Sequence, residues 1–181
     1  MKTEILKISS QISLTIEKNF ISIKGPQGEK VLKKNKRIHC SFNNSSDILN
    51  CRVFFKGGKK EEFLKSDFKS FLSNLKTDIK GCSFAHSDEL ILVGVGYRFI
   101  SLLKDVLVIK LGLCHNIIFR VPKNVTILIE SPTKISLISA DYSFLCQTVF
   151  KIKSLRLPDS YKGKGVRRPK EEILLKEVKK K

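Results

Sequence analysis

The order in which hydrophobic periodicities succeed one another constrains this chain more than any other feature. Ile12, Leu14 and Ile16 alternate with polar residues, the pattern of a half-buried strand. Phe20, Ile21 and Ile23 continue it up to Gly25-Pro26-Gln27-Gly28, a turn signal, and Val31-Leu32 opens the returning strand. Further strands are expected at Ile38–Phe42 and Ile48–Phe55, joined by a turn at Asn43 to Asp47 and ended by Gly57-Gly58. From Lys59 the period changes. Leu64, Phe68, Phe71, Leu72, Leu75 and Ile79 recur at helical spacing until Gly81.

The same succession then repeats. An apolar run at Leu90–Val95 leads to Gly96-Tyr97-Arg98, and strands are expected at Val106–Leu111, Ile117–Val121, Val125–Glu130 and Lys134–Ser139. Asp141 is suited to cap a helix reaching Leu155, with Leu145, Val149, Ile152 and Leu155 on its apolar side. Strands then a helix, twice over, predict an α+β fold of two tandem duplicated domains. Each is a mainly antiparallel sheet with one helix packed on it. FISIKG at Phe20–Gly25 and VLVIKLG at Val106–Gly112 are the one local echo between the halves. The expected divisions are 1–82, 83–156 and a basic C-terminal extension over 157–181.

That extension carries the strongest chemical signal. Pro158 ends any preceding helix, since it lacks an N–H and restricts its predecessor. Tyr161, Lys162, Gly163, Lys164, Gly165, Val166, Arg167, Arg168 and Pro169 follow. Alternating glycines and lysines let backbone lie flush on a surface while ammonium groups project from it. Arginine forks suit phosphate, and a tyrosine ring stacks on a base. From Arg156 onward ten Lys/Arg stand against four Asp/Glu, so the segment reads as an arm that becomes ordered on an anion, foremost RNA. The plainer alternative is a solvated basic tail; the Pro, Gly and Tyr punctuation argues for a defined path.

The whole chain is consistent with such a partner. Its net charge of +18 over 181 residues favours polyanions, nucleic acid before an anionic membrane surface. No uninterrupted apolar stretch is long enough to span a bilayer, and the start, with Glu4 and Glu17, has neither a signal-peptide core nor an acid-poor transit character. Cys40, Cys51, Cys82, Cys114 and Cys146 are odd in number and widely spaced, which suits reduced, buried thiols rather than a metal site.

The sequence carries no recognisable catalytic signature. GVGYRF at Gly94–Phe99 lacks the third glycine and following helix of a dinucleotide fingerprint, and GPQGEK at Gly25–Lys30 lacks the spacing of a phosphate-binding loop. His39, His86 and His115 occur singly. His115, at an expected turn, reads either as a histidine making local hydrogen bonds or as an RNA contact. No cofactor and no small-molecule substrate are expected.

VGVGYR at Val93–Arg98, GLCHNI at Gly112–Ile117, SPTKISLISAD at Ser131–Asp141 and above all PDSYKGKGVR at Pro158–Arg167 stand in the order and spacing of one family. In these the chain resembles the sixth ribosomal protein of the large subunit, over about Leu90 to Lys181. The resemblance implies two α+β domains of common ancestry and binding to large-subunit ribosomal RNA near the sarcin–ricin loop and stalk base. Neighbouring ribosomal proteins and translational GTPases would be close by. It implies that Tyr161, Lys162, Gly163, Lys164, Gly165, Val166 and Arg167 lie on RNA, with RNA-side roles for the loops ending in Arg98 and His115. Lys153 and Arg156 stand in what the family commonly makes an Arg-rich approach to the proline, and Arg168 stands where an aromatic residue often follows. All three are expected to contact RNA, with fewer guanidinium contacts than the family commonly makes.

The reading is therefore a structural ribosomal protein without enzymatic activity. A generic single-strand binder or RNA chaperone would need aromatics on an exposed strand face, whereas most phenylalanines here fall at core positions. A peripheral membrane protein would need a helix with a basic and a wide apolar face. Richness in Lys, Ile, Phe and Asn, with reduced thiols, suggests an organellar ribosome, mitochondrial before plastid or bacterial.

Overall fold

The computed structural model describes residues 2–8, 11–35, 38–43, 48–53 and 61–177. The expected break at Gly57-Gly58, the turn after Asn43 and the end of the basic extension lie outside them. The fold is α+β, with four antiparallel sheets and two helices, and it divides into units spanning Met1–Ala85 and His86–Lys181.

In the first unit, β1 (Lys2–Lys7), β6 (Ile48–Val53) and β5 (Ile38–Asn43) form one sheet in the order β1-β6-β5. A meander of β2 (Ser13–Ile16), β3 (Phe20–Gly25) and β4 (Gly28–Lys33) forms the other. Helix α1 (Glu61–Phe84) packs on β3 and β4. Phe68, Phe71, Leu72 and Leu75 of the helix meet Ile21, Ile23 and Leu49 in a closed apolar core. The helix continues past the expected stop at Gly81. Gly81 and Cys82 are buried, and the Cys82 carbonyl accepts from the Gln27 N–H at 3.2 Å, so packing outweighs glycine's poor helix propensity.

The second unit repeats this plan. β7 (His86–Val93) takes the place of β1, and β8 (Arg98–Leu103), β9 (Val106–Lys110) and β10 (Ile117–Arg120) form the meander. β11 (Thr126–Ser131) and β12 (Lys134–Ser139) pair as β5 and β6 do, giving the order β11-β12-β7. FISIKG and VLVIKLG occupy the middle strands of the two meanders, β3 and β9. Helix α2 (Tyr142–Ser154) begins at Asp141, whose carboxylate accepts from the Ser143 N–H at 3.0 Å. Leu145, Val149 and Ile152 press from it onto Leu90, Leu92, Ile135 and Leu137.

One strand has no counterpart in the first unit among the described residues. β13 (Gly165–Arg167) adds antiparallel to the outer edge of β7, pairing Gly165 with Val93, Val166 with Leu92 and Arg167 with Ile91. Val166 is fully buried beneath α2. This differs from the expectation of an arm ordered by its partner. A single valine at the right register fills the sheet edge, and the chain around it is drawn into the domain.

Candidate nucleic-acid interface

The route from α2 to β13 is a closed loop whose shape its own residues dictate. Asp159 acts as a cap. Its carboxylate accepts from the N–H groups of Tyr161 and Lys162, each at 3.3 Å, and its carbonyl accepts from the Gly163 N–H at 2.9 Å. The Asp159 N–H in turn donates to the Lys164 carbonyl at 2.9 Å. One level down, the Val166 N–H donates to the Arg156 carbonyl, also at 2.9 Å. Tyr161, Lys162 and Lys164 are held on an ordered turn with their side chains exposed, while Gly163 is buried.

Gly165 closes this loop because nothing larger fits. A Cβ there would stand 2.7 Å from the Leu157 carbonyl oxygen and from Pro158 Cα, on a backbone with φ +152°. The chain then crosses back over the turn, with the Lys176 N–H donating to the Ser160 carbonyl at 2.8 Å.

Two further loops share this end of the unit. Since Gly165 pairs with Val93, the loop before β13 lies beside the Gly94–Tyr97 turn that follows β7. Tyr97, 8% exposed, lays its ring between Gly94 and Gly112 and ties that turn to the loop at Gly112–His115. His115 and Cys114 are exposed at its tip, so Cys114 departs from the expectation of buried thiols. Cys51 and Cys82 are buried, and Cys40 and Cys146 are partly covered.

Arg98 opens β8, exposed, on the face opposite the buried Phe99. Directly across from it on β9 stands Lys110, a residue that reading the sequence did not select. Like charges opposed across a sheet are unfavourable unless an anion bridges them. The only sequence-level clue was the alternation in Val106–Lys110, which places Lys110 on the outer face once β8 is known.

The remaining expected residues divide into two sets. Arg156 is exposed beside the loop and Arg167 is half-buried in β13. Lys153 instead pairs with Glu171, which also accepts from the Arg168 N–H at 3.2 Å. Lys153's ammonium holds the Glu171 carboxyl below its ordinary value, with the Arg168 N–H assisting. The Arg168 guanidinium lies 2.9 Å from the Asp88 carboxylate on β7. These two cations fasten the C-terminal segment to the domain.

Among the described residues, no three His, Cys, Asp or Glu side chains gather as a metal site would need, and no helix is long and apolar enough to cross a membrane. The arrangement offers exposed positive charge on a preformed, glycine-shaped loop, which suits a phosphate backbone.

No family model matches the chain. It is similar to the large ribosomal subunit protein uL6 of Parabacteroides distasonis, 34% identical over 172 residues, covering 93% of this chain and 90% of that protein. The uL6 proteins of Streptococcus pyogenes, serotype M5, and Desulforapulum autotrophicum are 31% and 28% identical, over 97% and 94% of this chain and 95% and 92% of theirs. These relatives bear the name of a ribosomal component, not of an enzyme, and are bacterial. With a duplicated α+β plan, and with relatives matched over more than nine-tenths of its length, the chain belongs to the uL6 family of large ribosomal subunit proteins.

Proposed function

We propose that this structural protein of the large ribosomal subunit docks on ribosomal RNA through the loop-bearing end of its second unit. Tyr161, Lys162, Lys164, Arg156, Arg167, Arg98 and His115 form the contact surface, with Lys110 beside Arg98. Gly163 and Gly165 shape its backbone, and Lys153 and Arg168 secure the segment that carries it. The RNA lies near the sarcin–ricin loop and stalk base, beside neighbouring large-subunit proteins and the docking site of translational GTPases. The observation that carries this is the convergence of three loops, each bearing a family motif, at one end of a chain of net charge +18. The bacterial relatives favour a bacterial cytoplasmic ribosome over the mitochondrial one expected first from composition and reduced thiols.

The test is sedimentation of a tagged copy through a sucrose gradient at rising salt, for the native chain and for Lys162→Glu with Lys164→Glu. The native chain is expected to travel with the large subunit at moderate salt. The double variant should fold normally by circular dichroism and shift towards free protein. Normal incorporation of the double variant would remove the loop from the interface.

A further inference from the structure

In the first unit, far in sequence from the RNA-facing loops, two of the five cysteines stand face to face. Cys40 on β5 and Cys51 on β6 are direct cross-strand partners, and their sulfur atoms lie 3.4 Å apart. Directly opposed residues of an antiparallel pair have Cα atoms about 4.5–5.5 Å apart, inside the range of about 4.4–6.8 Å that disulfides span. The backbone therefore already stands where a bond would need it, and side-chain rotation suffices to close the gap. We propose that Cys40 and Cys51 are a reversible redox modification site, which hydrogen peroxide converts into an intrachain disulfide across β5 and β6.

The two thiols are unequal in the way such a reaction requires. Cys40 is partly exposed and Cys51 is buried. The hydrogen bond between the two sulfurs draws the Cys40 pKa down, and the charge of Lys34 assists. The same bond, with burial, pushes Cys51 up. The accessible sulfur is thus the nucleophile and the buried one the resolving thiol. The Cys40 thiolate attacks one peroxide oxygen; an S–O bond forms, the O–O bond breaks, and the departing hydroxide takes a proton to become water. The Cys51 sulfur then attacks the Cys40 sulfur. The S–S bond forms, the S–O bond breaks, and the hydroxyl leaves as water with the Cys51 proton. Two thiols are oxidised and one peroxide is reduced to two waters.

The sequence provides a direct readout. No Lys or Arg lies between Ile38 and Arg52, so trypsin releases both cysteines on one peptide, Ile38 to Arg52, with no other cysteine. The reduced full-length protein is treated with graded hydrogen peroxide, unfolded, alkylated with N-ethylmaleimide, digested and weighed. The expected result is that this peptide loses two hydrogens and takes no label, and that dithiothreitol restores two labels. Exposed Cys114 serves as the internal gauge of oxidant. A doubly labelled peptide at a dose that has oxidised Cys114 overturns the proposal. So does a Cys40 sulfinic acid beside a labelled Cys51. In Cys51→Ser, the Cys40 sulfenic acid should accumulate and be captured by dimedone; no capture overturns the assignment of Cys40 as nucleophile.

Discussion

Gly112 lies so close beneath Tyr97 that a Cβ at that position would stand 2.7 Å from the ring's Cε1 atom. The ring thereby fixes the distance between two loops that the chain places on different strands. Gly112 also holds φ +69°, a left-handed backbone that side chains disfavour. Gly112→Ala is therefore expected to cost roughly 2–4 kcal/mol, from strain and overpacking together. Urea unfolding of the second unit's transition measures it, and a loss below about 1 kcal/mol would mean that the loops accommodate a methyl group freely.

Val166 has the opposite character, a core residue inside a segment whose composition looks like surface. Truncating this fully buried side chain removes apolar contacts under α2 and leaves a cavity. Val166→Ala should lower stability by about 2 kcal/mol. Native-state hydrogen exchange should show faster opening of the outer edge of β7, and unchanged protection there would mean that β13 is marginal to the sheet.

The Lys153–Glu171 pair gives the C-terminal segment a dependence on acid. The carboxyl's pKa is depressed in the folded chain from an ordinary value of 4.5. Its contribution is therefore complete above that value and is lost as pH falls through the lower, folded one. For a pair with both side chains partly exposed, about 0.5–1 kcal/mol is at stake. Comparing the native chain with Glu171→Gln from pH 7 to pH 3, the stability difference should shrink as acid is added. A difference that persists at pH 3 would point to packing instead.

Cations that face solvent and cations that face carboxylates should behave differently towards RNA. Arg98→Ala with Lys110→Ala is expected to flatten the plot of log affinity against log salt by about one unit per cation. Arg168→Ala, which breaks the pair with Asp88, should leave that slope nearly unchanged while loosening the segment. Filter binding to a large-subunit RNA fragment across a salt series distinguishes them. Equal slopes for all variants would refute this division of labour.

Much of this architecture was legible because local chemistry and tertiary context agreed. α2 starts one residue after its Asp141 cap and carries its apolar residues at helical spacing. The Gly25–Gly28 turn joins two strands whose alternation is clean. β1, β8 and β13 were not legible, each for a physical reason. Lys2–Lys7 has charges at both ends of a short apolar stretch. Arg98–Leu103 carries a register shift between Phe99 and Ser101 that breaks its alternation. Gly165–Arg167 is three residues long and becomes a strand only because the edge of β7 is open to it. The motif loops of the candidate interface were readable residue by residue. Lys110's position opposite Arg98, and the carboxylates that engage Lys153 and Arg168, depend on register and on chain return, which no local pattern encodes.

The pairing of β13 with β7 also sets an order of events during synthesis. The edge of β7 is made long before the residues that cover it, so a nascent chain that stops short of Arg167 carries an open sheet edge and no organised lysine loop. Completing the sheet and organising the lysine loop are one event.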